Sequence, residues 1–350
     1  MNWRGLIDRY RDYLPFSEDV QIISLNEGNT PLIQADRLSE IIAPGKGLKL
    51  FLKYEGLNPT GSFKDRGMTA AITQAVYEGA TTVICASTGN TAASAAAYAA
   101  RAGLRCLVLV PEGKIALGKL AASLTYGAEV LSIEGTFDDG LAVVREIVER
   151  EPIALVNSIN PWRLEGQKTA AFEICDQLDG KAPDWLCLPV GNAGNITAYW
   201  MGFQQYGKGL PHLLGGQAAG AAPIVAGKVV EKPHTIASAI QIGNPARWHQ
   251  ALTALDESGG IITAVTDDDI LKSWRLLAGK EGVFVEPASA TGLAALRQQI
   301  EQGEIDPTGK TAVVVLTGHG LKDPGTAVDQ AVAPQTIAAT VEGLEGYLHG

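Results

Sequence analysis

Short apolar runs rich in β-branched residues alternate along most of the chain with alanine-rich stretches of helical period. TVICA (82–86) precedes TAASAAAYAARAG (91–103), and CLVLV (106–110) precedes a helical stretch from 115 to 126. EVLSI (129–133) leads into FDDGLAVVREIVER, which ends near Arg150, and IALV (153–156) follows. Further on, WLCLPV (185–190), IITAV (261–265) and AVVVL (312–316) each adjoin a segment of helical period, and LKLFLKYE (48–55) reads as one more strand. Strands separated by helices need right-handed crossovers and form mostly parallel sheets, so the pattern predicts an α/β fold with flanking helices. No repeat of 20–50 residues interrupts it.

Composition narrows the classes of function. A chain of 350 residues accommodates about two domains, and 46% hydrophobic residues can build a true core. The formal charge of −10, with no basic cluster, argues against nucleic acid and acidic membranes as partners. Cys85, Cys106, Cys175 and Cys187 form no C-x-x-C pair, so the expectation is buried thiols in a reduced compartment and no metal site. No apolar run reaches 18 residues and the first residues lack an apolar signal core, which predicts a cytoplasmic protein without a membrane span.

Ligands of open α/β sheets collect where strands end and helices begin, and four such loops carry chemistry. In NPTGSFKDRGM (58–68), Lys64 falls near a helix start with Arg66 two positions on, a setting that lowers a lysine pKa and suits bonding to a carbonyl cofactor. The alternative is a solvated lysine. ASTGNTAAS (86–94) offers Ser87, Thr88 and Asn90 to a carboxylate, or plain helix capping. PVGNAGNIT (189–197) can curl into an anion nest; it lacks both the P-loop GK[ST] and the G-x-G-x-x-G spacing, so a compact phosphate fits it better than a pyrophosphate. LTGHGLKD (316–323) presents the neutral hydroxyl of Thr317, while His319 reads as a structural loop histidine rather than an acid or base.

These loops, with EGNTPL (27–32), NPWRLEGQKT (160–169) and EPASA (286–290), occur in the order found in the fold-type II pyridoxal-phosphate enzymes. Over roughly residues 20–325 the chain resembles the threonine synthases of that family in their short form. The resemblance implies a two-domain, tryptophan synthase β-like fold. A small mobile domain would span 55–151, and 1–54 with 152–350 would form the larger one, with pyridoxal 5′-phosphate in the cleft between them. It makes Lys64 the Schiff-base lysine and Asn90 the partner of the cofactor's phenolic oxygen. It assigns Gly191, Asn192, Ala193, Gly194 and Asn195 to the cup for the 5′-phosphate, and Thr317 to the pyridine nitrogen. Ser87, Thr88 and Asn90 would grip the substrate carboxylate; Asn157, Ser158 and Arg163 would hold the substrate's own phosphate.

The implied activity is that of a lyase acting on a phosphate ester: O-phospho-L-homoserine and water give L-threonine and phosphate by γ-elimination and β-addition of water. Such a substrate brings a second anion, for which a bidentate arginine is suited. A surface ion pair of Arg163 with Glu165 or Asp184 is the alternative for that residue. A hydroxyl at position 317 leaves the pyridine nitrogen neutral and favours elimination and replacement over transamination. A threonine or serine dehydratase of the same fold is the rival reading, since it needs no second phosphate site. A homodimer is the family expectation.

Overall fold

The computed structural model describes residues 2–87, 89–111, 117–134, 143–144, 146–331 and 333–349. Its strands are β1 (Leu32–Gln34), β2 (Lys49–Tyr54), β3 (Thr82–Ala86), β4 (Arg105–Pro111), β5 (Glu129–Ile133), β6 (Ile153–Leu155), β7 (Trp185–Pro189), β8 (His212–Ala218), β9 (Ile261–Val265) and β10 (Thr311–Leu316). They fall into two sheets. One has six strands in the order β1-β2-β10-β7-β8-β9, the other four in the order β5-β4-β3-β6. Among the described strands only the β1–β2 pair is antiparallel; their other pairings are parallel, as helical crossovers require.

The structure departs from the sequence reading at β1, a short edge strand that the apolar pattern does not mark, and at two further places. β6 pairs with β3, Thr82 opposite Ile153, and so belongs to the four-stranded sheet. A dividing line at 151 therefore cuts that sheet; the chain leaves it only after Leu155. The second difference is β8, HLLGGQA, where Gly215 and Gly216 interrupt the apolar pattern. A side chain at Gly216 would stand 2.8 Å from the carbonyl oxygen of Thr291. Gly216 is needed because the helix Thr291–Glu301 lies directly on the strand, and Gly215 packs closely against Val190 and Ile262.

Apolar burial holds each layer. In β10, Ala312 to Leu316 are buried, and the six-stranded sheet packs Leu50, Leu52, Leu214, Val265 and Leu293 in one cluster. At about 1.5–3 kcal/mol for each fully buried Val or Leu, such a cluster supplies most of the sheet's stabilisation. A second cluster, including Val83, Cys85, Ala95, Tyr98 and Val108, lies about the four-stranded sheet. The four cysteines are free and buried, and burial raises each thiol's pKa to about 12 or beyond.

The helix Pro161–Gln177 packs against both the helix Lys64–Tyr77 and the helix Gly194–Tyr206. Its contact with the first is backbone to backbone. A Cβ at Gly166 would meet the carbonyl oxygen of Arg66 at 1.9 Å, and one at Gly67 would meet Arg163 Nε at 2.6 Å. Only glycine permits this approach, and the approach brings Arg163 alongside the start of the Lys64 helix. The N-terminal segment seals the outside of the crossing, with Leu6, Tyr10 and Phe16 against Ala70 and Phe172.

Candidate active site

The site forms at the carboxyl ends of β2, β10 and β7. Tyr54 lies opposite Leu316 and Cys187 opposite Val314, so the loops that follow emerge side by side. The loop before the Lys64 helix is hydrogen-bonded to the loop after β10. Phe63 N–H donates to the Thr317 carbonyl at 2.9 Å, and His319 N–H donates to the Gly61 carbonyl at 2.9 Å. Asp65 secures the same turn from the other side: it accepts from Thr60 N–H and from Ser94 Oγ, each at 2.6 Å, and so ties it to the helix Asn90–Ala102.

Lys64 is the first residue of its helix. Its residue surface is partly open, but protein surrounds the amine and lowers its pKa to about 7. Burial is the larger cause and the positive charge of Arg163 the second, against an opposing pull from Glu286. The neighbouring cation is thus Arg163 and not Arg66. Arg66 is committed elsewhere: it donates to Glu55 at 2.6 Å and to Glu173 at 2.7 Å, in a fully buried cluster that includes Lys53.

Arg163 is wholly buried, with Nη1 donating to the Val156 carbonyl at 2.9 Å and with Nε and Nη2 bonded to nothing among the described residues. Burial lowers its pKa to about 10. Neither expected surface partner is used, since Glu165 pairs with Lys168 and Asp184 with Lys310. A buried guanidinium with two open nitrogens costs several kcal/mol unless an anion completes it.

The loop between β7 and the helix Gly194–Tyr206 has the form of a nest. Ala193 stands at φ 62°, ψ 4°, a left-handed conformation that costs a non-glycine residue about 1–2 kcal/mol. It turns the chain so that a helix begins at Gly194. Asn195 Nδ2 is buried with no partner among the described residues. Thr317 is buried, and its hydroxyl lies 3.0 Å from Ser289 Oγ. Asn90 Nδ2 donates to both oxygens of the buried Glu286, at 3.2 and 3.1 Å.

The remaining predicted residues divide. Ser87 Oγ accepts from Gly89 N–H at 3.2 Å, a local turn at the mouth of the Asn90 helix. Thr88 lies outside the described residues. Asn157 is buried, with Oδ1 accepting from Ala86 N–H at 2.9 Å and Nδ2 donating to the Ala86 carbonyl at 3.0 Å. The amide oxygen and one N–H join the ends of β3 and β6, and the second N–H of the amide is left for a ligand. Ser158 makes no side-chain bond, and its carbonyl accepts from Arg247 Nε at 3.3 Å. His319 caps the turn Gly320–Lys322 through Nδ1 and stacks on Tyr54, as a structural histidine does.

The sequence profile described as pyridoxal-phosphate dependent enzyme matches residues 23–318. The chain belongs to that family. It is 58% identical to a threonine synthase from Halalkalibacterium halodurans, over 98% of both chains. Against a threonine synthase from Synechocystis sp. the identity is 59%, over 94% of this chain and 86% of the relative. Its branch within the pyridoxal-phosphate dependent enzymes is the threonine synthases. The fold is shared more widely: the solved structure of maize serine racemase superposes with a TM-score of 0.76 at 21% identity, over 99% of this chain and 100% of that one.

The residues fit the family's cofactor. An amine with pKa near 7, a nest opening a helix, an unbonded buried amide on Asn195 and a hydroxyl at Thr317 are the donors that an aldehyde, a phosphate and a neutral pyridine nitrogen call for. Three further residues of this site had no assigned role in the sequence reading. Ser289 and Glu286 belong to EPASA, a motif noticed only as part of the resemblance. Arg247 carried no signal: its N–H donates to the Asn192 carbonyl at 3.2 Å, and its guanidinium donates to the carbonyls of Ser158 and Ile159. It thereby ties the nest to the Arg163 segment.

Proposed function

We propose that the chain converts O-phospho-L-homoserine and water to L-threonine and phosphate. The observation that carries this is Arg163, a buried guanidinium that acts on the Lys64 amine and has two nitrogens without a partner among the described residues, the donors a second anion calls for. Lys64 would bond the cofactor's aldehyde carbon. Gly191, Asn192, Ala193, Gly194 and Asn195 would hold its phosphate at the helix start, where amides and dipole stabilise an anion without a cationic side chain. Asn90 would face the phenolic oxygen and Thr317 the pyridine nitrogen. When bound, the cofactor withdraws electrons from the substrate carbons.

The protein's own groups do the rest. With a pKa near 7, Lys64 both takes and returns protons near neutral pH, which suits removal at Cα and Cβ and delivery at Cγ. Arg163, with Ser158 near it, would hold the substrate phosphate and steady it as a leaving group. Asn157 would support that segment by fixing the Ala86 backbone, and Ser87, Thr88 and Asn90 would take the carboxylate. We assign the four-stranded sheet, roughly residues 55–156, to a smaller unit that closes on the cofactor. A homodimer in the cytoplasm completes the reading; none of the described helices is long and apolar enough to cross a membrane.

The test supplies the cofactor-loaded protein with O-phospho-L-homoserine and, separately, with L-serine and L-threonine. Stoichiometric phosphate and threonine from the first, with little 2-oxo acid from the others, is the expected result. Rapid 2-oxo acid formation without phosphate release would establish the dehydratase instead.

A further inference from the structure

Glu286 is a buried carboxylate whose side-chain partner is Asn90, through both oxygens. Its backbone is clamped, with Glu286 N–H donating to the Gly318 carbonyl at 3.1 Å and Ser289 N–H to the Glu286 carbonyl at 3.0 Å. The carboxyl lies flat on Gly318, where a Cβ would stand 2.4 Å from Oε1. A side chain at 318 would push the carboxyl out of this place, and glycine leaves it room to reach Asn90. An asparagine amide has two N–H groups, and one suffices for a carboxylate, which leaves the other for a ligand.

We propose that Glu286 is a positioning residue for the cofactor: it fixes the Asn90 amide that faces the phenolic oxygen, and its charge sets the proton affinity of the Lys64 nitrogen. The inference rests on the cofactor assignment of the preceding subsection. Burial, the largest influence, raises the pKa of Glu286 to about 7 against the Asn90 hydrogen bond and the charge of Lys322, while Asp323 adds to the rise and Lys64 opposes it. Both charge states are therefore populated where the enzyme would work. A charged Glu286 acts on Lys64 and stabilises a proton on its nitrogen, and the neutral acid does not.

The experiment loads wild type, Glu286→Gln and Glu286→Ala with pyridoxal phosphate. The visible absorbance of the bound cofactor is titrated from pH 5.5 to 9.5, and cofactor Kd is measured. Gln keeps an acceptor for Asn90, so its Kd should stay within about threefold of wild type while the absorbance midpoint falls by about one to two pH units. Ala should show the same fall with weaker cofactor binding, and it carries the charge test if the Gln variant does not fold. Variants that titrate as wild type does overturn the proposal, whatever their activity. A wild type that never develops visible absorbance overturns the cofactor assignment, and this inference with it.

Discussion

Two groups of buried charges meet along the helix Pro161–Gln177, and they are built on opposite principles. Around Glu173, Lys53 and Arg66 each find a carboxylate, and Thr30 and Asn29 supply further hydrogen bonds. Around Arg163, ten residues earlier, an arginine has two open nitrogens, a lysine has no carboxylate bonded to it among the described contacts, and Glu286 has only an amide. The pKa directions follow. Burial would raise Glu173, but Arg66 and Lys53 outweigh it and bring the carboxyl to about 2, whereas burial wins at Glu286 and brings it to about 7. Arg66 is raised well above its ordinary range, its carboxylates overcoming burial, while Arg163 falls to about 10. A paired cluster fixes the fold; an unpaired one awaits ligands.

Removing groups from the two clusters should damage different properties. Lys64→Ala should lower kcat by about 10²–10⁴-fold and abolish the visible absorbance of bound cofactor, with little change in the unfolding midpoint. Glu173→Gln should do the reverse. It leaves Lys53 and Arg66 with an excess buried charge and should cost about 3–5 kcal/mol of stability, read by denaturant unfolding. Equal losses of stability from both variants would dissolve the distinction.

The clusters should also slope oppositely with pH. Glu173 has its folded pKa lowered from 4.5 to about 2, so its contribution is present above pH 4.5 and is lost as pH falls through about 2. Glu286 has its folded pKa raised from 4.5 to about 7, so its contribution is present below 4.5 and is lost as pH rises through about 7. Each is worth up to about 3 kcal/mol. Unfolding midpoints of wild type, Glu173→Gln and Glu286→Gln from pH 3 to 8 measure both slopes. A wild type that parallels Glu286→Gln between pH 4.5 and 7 would place that carboxyl outside the unpaired group.

The smallest effect belongs to Arg247. Loss of its bonds to the Ser158 and Ile159 carbonyls should raise KM for the phosphorylated substrate about fivefold, for about 1 kcal/mol. Steady-state kinetics of Arg247→Ala check it.

What the sequence disclosed follows the same division. Lys64, Asn90, Thr317 and the GNAGN nest stand at strand ends, where local composition alone marks a ligand loop, and the parallel order of strands places them together. The paired cluster was not legible, because Lys53, Glu55, Arg66 and Glu173 are remote in the chain and look like ordinary surface charges. Arg66 even suggested the wrong cation for Lys64. The bracing of Asn157 is not legible for a related reason: nothing in IALVNS shows that its amide closes on Ala86, 71 residues earlier. β8 is not legible because Gly216, which admits the helix Thr291–Glu301, and Gly215, which packs against Val190 and Ile262, erase its apolar signature.

The unpaired cluster is tested most directly at its most open member. Phosphate release from O-phospho-L-homoserine is measured for wild type and Arg163→Ala in parallel with bound-cofactor absorbance and the unfolding midpoint. A guanidinium-to-phosphate bond in a closed site is worth about 2–3 kcal/mol, so kcat/KM should fall roughly tens- to a hundredfold. Absorbance should be retained, and stability unchanged or higher once an unpaired charge is gone. Unchanged kcat/KM, or a loss of folding in proportion to the loss of turnover, would contradict Arg163 as the seat of the second phosphate.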